Sequence, residues 1–129
     1  MFRKLVNVPE LVQEPVKTNG GGTEIPGSLD AMRERLRDTM WENAGIVRSD
    51  VRLERAAQYL TEASARIESD WLEYVPTPAL IELRNLTTVA ALIVRCAQAR
   101  KESRGLHYTI DYPYRDNEHA LRDTVVLNI

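Results

Sequence analysis

The densest polar cluster in the sequence is Glu102-Ser103-Arg104-Gly105-Leu106-His107. An arginine and a histidine this close can hold an anionic substrate or shuttle a proton. The same residues also form a generic helix stop, in which cations complement the dipole and glycine closes the last turn. That generic character favours the structural reading, in which these side chains tie down the segment that follows. Other chemistry is thin. The two histidines, His107 and His119, and the single cysteine, Cys96, are too few and too badly spaced for a metal site. Cys96 falls at the spacing of an apolar helix face, which makes it a buried thiol rather than a reactive thiolate. Gly20-Gly21-Gly22 follows no strand and opens no helix, so it lacks the context for cradling a phosphate. No Walker loop, His-Glu-x-x-His or Cys-x-x-Cys occurs. Asn85 reads as a satisfied core amide that fixes helix register. Trp41, Trp71 and Tyr74 read as lids on the core, and Arg33, Arg35 and Arg37 among Asp30, Glu34 and Asp38 as a solvated charged face. The residues therefore predict no catalytic, cofactor-binding or metal-binding constellation.

The elements that carry these residues follow from length and pattern. At 129 residues, 43% apolar and 28% charged, the chain is sized for one soluble domain. It has no run of about 18 apolar residues, so no membrane-spanning helix is expected. Met1-Phe2-Arg3-Lys4 leads into no apolar segment of the kind a secretory signal needs. One cysteine cannot form an internal disulfide, and a reducing, cytoplasmic setting is expected. A net charge of −2 with both signs interspersed argues against a nucleic-acid or anionic-membrane surface.

Residues 1–27 read as a flexible arm or linker: Pro9, Pro15 and Pro26 interrupt regular structure, and Gly20, Gly21, Gly22 and Gly27 loosen it. Leu5, Val6, Val8, Leu11 and Val12 give the arm something to dock with, either on its own domain or on a partner from which the chain is an excised piece. From Ser28 the apolar period becomes helical. A first helix is expected from Ser28 to Ala44, with Leu29, Met32, Leu36, Thr39 and Met40 inward and Gly45 as a left-handed cap. A second starts after Ser49-Asp50 and runs to about Trp71, with Leu53, Ala56, Ala57, Leu60, Ala63 and Ile67 on one stripe. Thr77-Pro78 starts a third. It continues to about Ser103, with Arg100, Lys101 and Arg104 in its last turn and Gly105 ending it. This third helix is apolar over much of its circumference, so it touches two neighbours or more. The expected fold is all-α, a three-helix up-down-up bundle over residues 28–103 with an extended tail over 104–129. Leu60 and Ile93 are both expected in its core. Leu106–Tyr114 and Asp123–Leu127 are strand-like, and pair with each other or with something outside the chain.

Several segments, in this order, resemble the C-terminal domain of the L-aspartate oxidase family. They are Met40-Trp41-Glu42-Asn43-Ala44-Gly45-Ile46-Val47-Arg48, Arg52-Leu53-Glu54-Arg55-Ala56, Leu83-Arg84-Asn85-Leu86, and the stretch from Arg100 to Pro113 that contains Glu-Ser-Arg-Gly-x-His and Asp-Tyr-Pro. The resemblance covers about residues 28–115. The related succinate dehydrogenase and fumarate reductase flavoproteins usually have Gly-Ala-His followed by an arginine two places on, and Leu106 and Thr109 depart from that form. The resemblance implies a parent enzyme that binds FAD and oxidises L-aspartate to iminoaspartate, which feeds quinolinate and NAD synthesis. It implies no FAD, substrate or catalytic residue within this chain. It makes Arg100, Arg104, His107, Tyr108, Asp111 and Tyr112 candidates for docking, anchoring the tail against the bundle or against the parent's flavin domain. Self-association through surface left exposed by the missing partner is a further expectation. The alternatives are the equivalent domain of a succinate dehydrogenase or fumarate reductase flavoprotein, and a free-standing helical interaction module. A small enzyme using His107 as base is the least favoured.

Overall fold

The computed structural model describes residues 27–126. The predicted arm, apart from Gly27, and Leu127 of the last strand-like run lie outside the described residues. Three helices carry the fold: α1 (Leu29–Ala44), α2 (Asp50–Glu73) and α3 (Pro78–Ala99). Each starts on a hydroxyl that satisfies an otherwise unpaired amide. Ser28 Oγ accepts from Ala31 N at 3.2 Å, Ser49 Oγ from Arg52 N at 3.2 Å, and Thr77 Oγ1 from Leu80 N at 3.3 Å. Pro78 occupies the first turn of α3, where its missing N–H costs no helical bond.

The helices run up, down and up. Arg33 near the start of α1 pairs with Glu82 near the start of α3 at 2.7 Å. At the other end Lys101, just past α3, meets Asp50 at the start of α2 at 2.8 Å. The core forms along the seams: Leu36 and Ala44 from α1, Leu53, Ala56, Leu60 and Ile67 from α2, and Leu80, Leu83, Ala90, Val94 and Ala97 from α3. The stripe read for α2 is the buried one. On α1 only Leu36 of the expected stripe is fully buried, joined by Ala44, and Leu29, Met32 and Met40 pack on the core partly exposed.

α3 departs from expectation on one side. It buries Leu80, Leu83, Thr87, Ala90, Val94 and Ala97, alternating by three and four residues. Its second apolar side, Ile81, Leu86, Val89 and Ile93, stays exposed, because α1 and α2 together cover only one stripe. Ile93 is therefore 43% exposed, not a core residue. Asn85 lies on the same outer side and is no core amide, and Cys96 is only half-buried. Trp41 is 79% exposed rather than a lid, since it stands one residue, about 100° around the helix, beyond the inward Met40. Trp71 does pack on the core, with the Arg84 guanidinium 4.6 Å from its ring centroid.

α3 also ends at Ala99 instead of Ser103, with Arg100 as its C-cap. No basic residue lies in its final turn. The reason is competition from the tail: Ser103 N donates to Tyr114 O at 3.1 Å, a bond incompatible with continued helix. Gly105 consequently ends no helix. With φ of +60° it makes a tight turn closed by reciprocal backbone bonds between Arg104 and His107. Gly45 is not left-handed either; a side chain there would place Cβ 2.5 Å from the Trp41 carbonyl oxygen, so the position is reserved by close approach.

The tail is non-helical and mostly turns. Within it β2 (Tyr108–Thr109) pairs in parallel with β1 (Val47–Arg48), in the register Val47 to Tyr108 and Arg48 to Thr109. The partner that the strand-like tail lacked in the sequence is thus the connection between α1 and α2. No strand forms over Asp123–Val126.

The core stripe of α2 and the outer side of α3 give opposite expectations for mutation. Leu60 is 2% exposed, and Leu60→Ala leaves a cavity costing about 2–5 kcal/mol. Ile93→Ala should cost under about 1 kcal/mol, because Ile93 is 43% exposed and lies outside the core cluster. Urea denaturation followed by circular dichroism measures both; equal losses would overturn this assignment of faces.

Candidate functional site

The polar cluster singled out in the sequence condenses around Glu102, whose side chain is fully buried at 0% exposure. A buried carboxylate is costly unless its oxygens are satisfied, and here four donors reach them. Arg100 Nη1 and Arg104 Nε donate to Oε1. Arg104 Nη2 and the Asp116 amide donate to Oε2 at 3.0 and 2.8 Å. The Arg104 guanidinium foremost, then the Asp116 amide and Arg100, hold the carboxyl down to about 2 against desolvation.

The two arginines extend the network into the tail. Arg104 Nη2 donates to Asn117 Oδ1 at 2.7 Å. Arg100 reaches the Ala120 carbonyl at 3.1 Å, the Arg122 carbonyl at 2.6 Å and Thr124 Oγ1 at 3.3 Å. Ser103 adds a second clasp, accepting from Thr109 N at 3.0 Å and donating to Tyr112 O at 2.7 Å.

His107 faces two fixed partners. Arg48 Nη1 lies 2.8 Å from Nδ1, and the Arg100 carbonyl oxygen lies 3.1 Å from Nε2. Arginine only donates and a carbonyl only accepts, so the bonding assigns a neutral ring with its proton on Nε2. Arg48 itself is held by the Ala44 and Gly45 carbonyls at the end of α1. Burial, with Arg48 and Arg100 nearby, pushes the His107 pKa down.

A third cluster fastens the tail to α2. The Asp111 carboxylate accepts from the Asp50 amide at 2.6 Å, so it sits at the helix N-terminus, where negative charge is favoured. The Asp50 carboxylate in turn accepts from Lys101 at 2.8 Å and the Tyr112 hydroxyl at 2.9 Å, and the Lys101 ammonium stands 5.1 Å from the Tyr112 ring centroid. These two bonds lower the Asp50 pKa.

Of the residues picked out in the sequence, Arg100, Arg104, His107, Asp111 and Tyr112 all make hydrogen bonds within the domain. Tyr108 is exposed and joins through its backbone to Val47. Sequence reasoning had Ser103 in the polar cluster but passed over Arg48, Asp50 and Asp116 as partners. These act across separations of 14 to 62 residues that no local pattern encodes.

Chemically this arrangement binds its own polypeptide. The carboxylate has no free oxygen to act as a base, both His107 nitrogens are engaged, and no nucleophile lies on either. Among the described residues no group of three or more His, Cys, Asp or Glu converges as metal ligands. A flavin dinucleotide does not fit them. Its pyrophosphate needs a glycine-rich strand-to-helix turn and open amides at a helix N-terminus. No glycine-rich turn opens any of the three described helices. Each start spends one amide on the hydroxyl of Ser28, Ser49 or Thr77, and Asp30 and Asp50 put negative charge in two first turns.

The fold and site define an all-α domain whose polar centre is a structural lock between helices and tail. By comparison with known proteins, the chain belongs to the family described as fumarate reductase flavoprotein C-term, which matches residues 33–128. Over 122 residues, 95% of the chain, it is 48% identical to 21% of the L-aspartate oxidase of Acinetobacter baylyi. It is 46% identical to the Pseudomonas aeruginosa L-aspartate oxidase over 94 residues, 73% of the chain and 17% of that protein. The chloroplastic L-aspartate oxidase of Arabidopsis thaliana is 38% identical over 115 residues, covering 82% of the chain and 18% of that protein. The chain thus spans about a fifth of the length of these relatives.

The lock gives a pH prediction with a definite sign. Glu102 is depressed in the fold from 4.5 to about 2, so its contribution is complete above 4.5 and is lost as pH falls toward 2. His107 is also depressed, but as a base. The unfolded chain takes up its proton first, and stability begins to fall below the ordinary histidine value of 6.5. Thermal melts should fall in two stages on acidification. Glu102→Gln should weaken the fold at pH 7 and flatten the lower stage, while a melting curve unaltered at both pH values would contradict the lock.

Proposed function

We propose that this chain is the C-terminal helical domain of an L-aspartate oxidase, the FAD enzyme that oxidises L-aspartate to iminoaspartate in quinolinate and NAD biosynthesis. The 48% identity to such an oxidase across 95% of the chain carries the reading. In the parent, FAD would supply the acceptor for one hydride, which carries both electrons, and loss of the amine proton would leave the imine. FAD and substrate are held by the portion outside this chain. The chain's role is structural. It divides into an entering arm (1–27), the bundle (28–103) and the tail (104–129). Arg100, Arg104, His107, Asp111 and Tyr112 serve docking by fixing the tail, and Tyr108 by facing outward beside it. The same reading places the parent in the cytoplasm, with the flavin portion as intramolecular partner and with neither nucleic acid nor membrane bound. No described helix is long and apolar enough to cross a membrane. Expressed alone, the chain self-associates through its uncovered apolar surface.

The family description itself supports a second reading, the equivalent domain of a succinate dehydrogenase or fumarate reductase flavoprotein. Leu106 and Thr109 favour the oxidase. Anaerobic mixing of the full-length flavoprotein with each substrate separates them. L-aspartate should bleach the oxidised flavin band and succinate should not, whereas bleaching by succinate alone would replace the oxidase reading with the second. The chain purified alone should be colourless and should not turn over aspartate.

A further inference from the structure

The outward sides of the three helices differ in chemistry. α1 shows solvent Glu34, Arg35, Arg37 and Asp38, and α2 shows Glu54, Arg55, Glu62 and Glu68. α3 instead shows Ile81, Leu86, Val89 and Ile93, each 40–53% exposed. Their spacing sets them along one side of the helix, over roughly 18 Å at 1.5 Å per residue. Ile81, Leu86 and Val89 line a shallow groove with Pro78, Glu82 and Asn85. The Asn85 side chain stands exposed in this strip and makes no hydrogen bond among the described residues. An apolar strip with one free amide suits a protein surface that supplies an apolar core and a polar partner; a lipid surface would leave the amide unmatched.

The path of the chain indicates which surface. The Arg33–Glu82 pair sets the first turns of α1 beside the first turns of α3. The polypeptide that precedes residue 27 therefore enters at the end of the bundle where Pro78 and Ile81 begin the strip. Trp41, Ile46 and Ile110 are exposed too, but they belong to the opposite end, with β1 and β2. The relatives carry about four-fifths of their length outside the matched region, and the family is described as the C-terminal part of a flavoprotein. In the proposed parent the flavin-binding portion is therefore joined through this entry point.

We propose that the outer strip of α3, with Ile81, Leu86, Val89 and Ile93 around Asn85, is the seam on which the flavin-binding portion of the same polypeptide rests. This deepens the reading of the chain as one part of an oxidase and depends on it for the identity of the partner. The strip then supplies the apolar centre of the contact, the Asn85 amide sets its register, and the charged sides of α1 and α2 remain in water.

The test uses the full-length flavoprotein with a photo-crosslinking residue, Val89→p-benzoylphenylalanine, and the same residue at Glu62 on the charged side of α2. Illumination of the monomeric fraction, followed by peptide mass spectrometry, should join position 89 to a peptide that precedes this chain, and position 62 to none. A link to a second copy, a link to residues 1–26, or no link at all would each overturn the seam. Aspartate-dependent flavin bleaching in the same preparation tests the underlying reading separately. Bleaching without the link removes the seam alone, and the link without bleaching removes the oxidase assignment alone.

Discussion

Glu102 sits where three stretches of chain must agree. Its carboxylate is withdrawn from water, and a bare charge there would be worth several kcal/mol of destabilisation. What offsets that cost is a set of donors from Arg100 before it, Arg104 after it and the amide of Asp116 beyond both. Each donor is tethered in turn, Arg100 to carbonyls at 120 and 122 and Arg104 to Asn117. A tail with little regular structure therefore acquires one path. Its rigidity comes from charge-assisted hydrogen bonds rather than from a hydrophobic core of its own.

The surrounding contacts fix where that path lies. β1 and β2 share only two residues each, too few to be stable alone. They persist because the Arg48 side chain bonds His107 across the pair and the Ile110 amide donates to the Arg48 carbonyl. The start of α2 is likewise completed by Asp111 and Tyr112 from the tail. Helices and tail are consequently one cooperative object, although the tail adds few residues to the core.

Much of this was legible in the sequence, and the division is physical. Apolar period, capping hydroxyls and Pro78 are local signals, and they located all three helices and the inward stripes of α1 and α2. The two-sided apolar character of α3 was legible as well, but the pattern cannot tell a side that meets a neighbour in the chain from one that does not. Ile93 and Asn85 were misplaced for that reason. The end of α3 was set too late because Arg100–Ser103 has ordinary helix-forming residues, and only the pull of Tyr114 and Asp116 on their backbone and side chains stops the helix. The motif Glu-Ser-Arg-Gly-x-His marked side chains that the fold joins by hydrogen bonds. Its burial of the glutamate depended on Asp116, which nothing nearby announced.

The same lock imposes an order on assembly. The helix hairpins join residues near one another in sequence and close with little loss of chain entropy. The tail bonds join positions 59 and 62 apart, as between Arg48 and His107 or Asp50 and Tyr112. The bundle therefore forms while Glu102 is still hydrated, and the carboxylate is buried only when Arg104 and the Asp116 amide close over it.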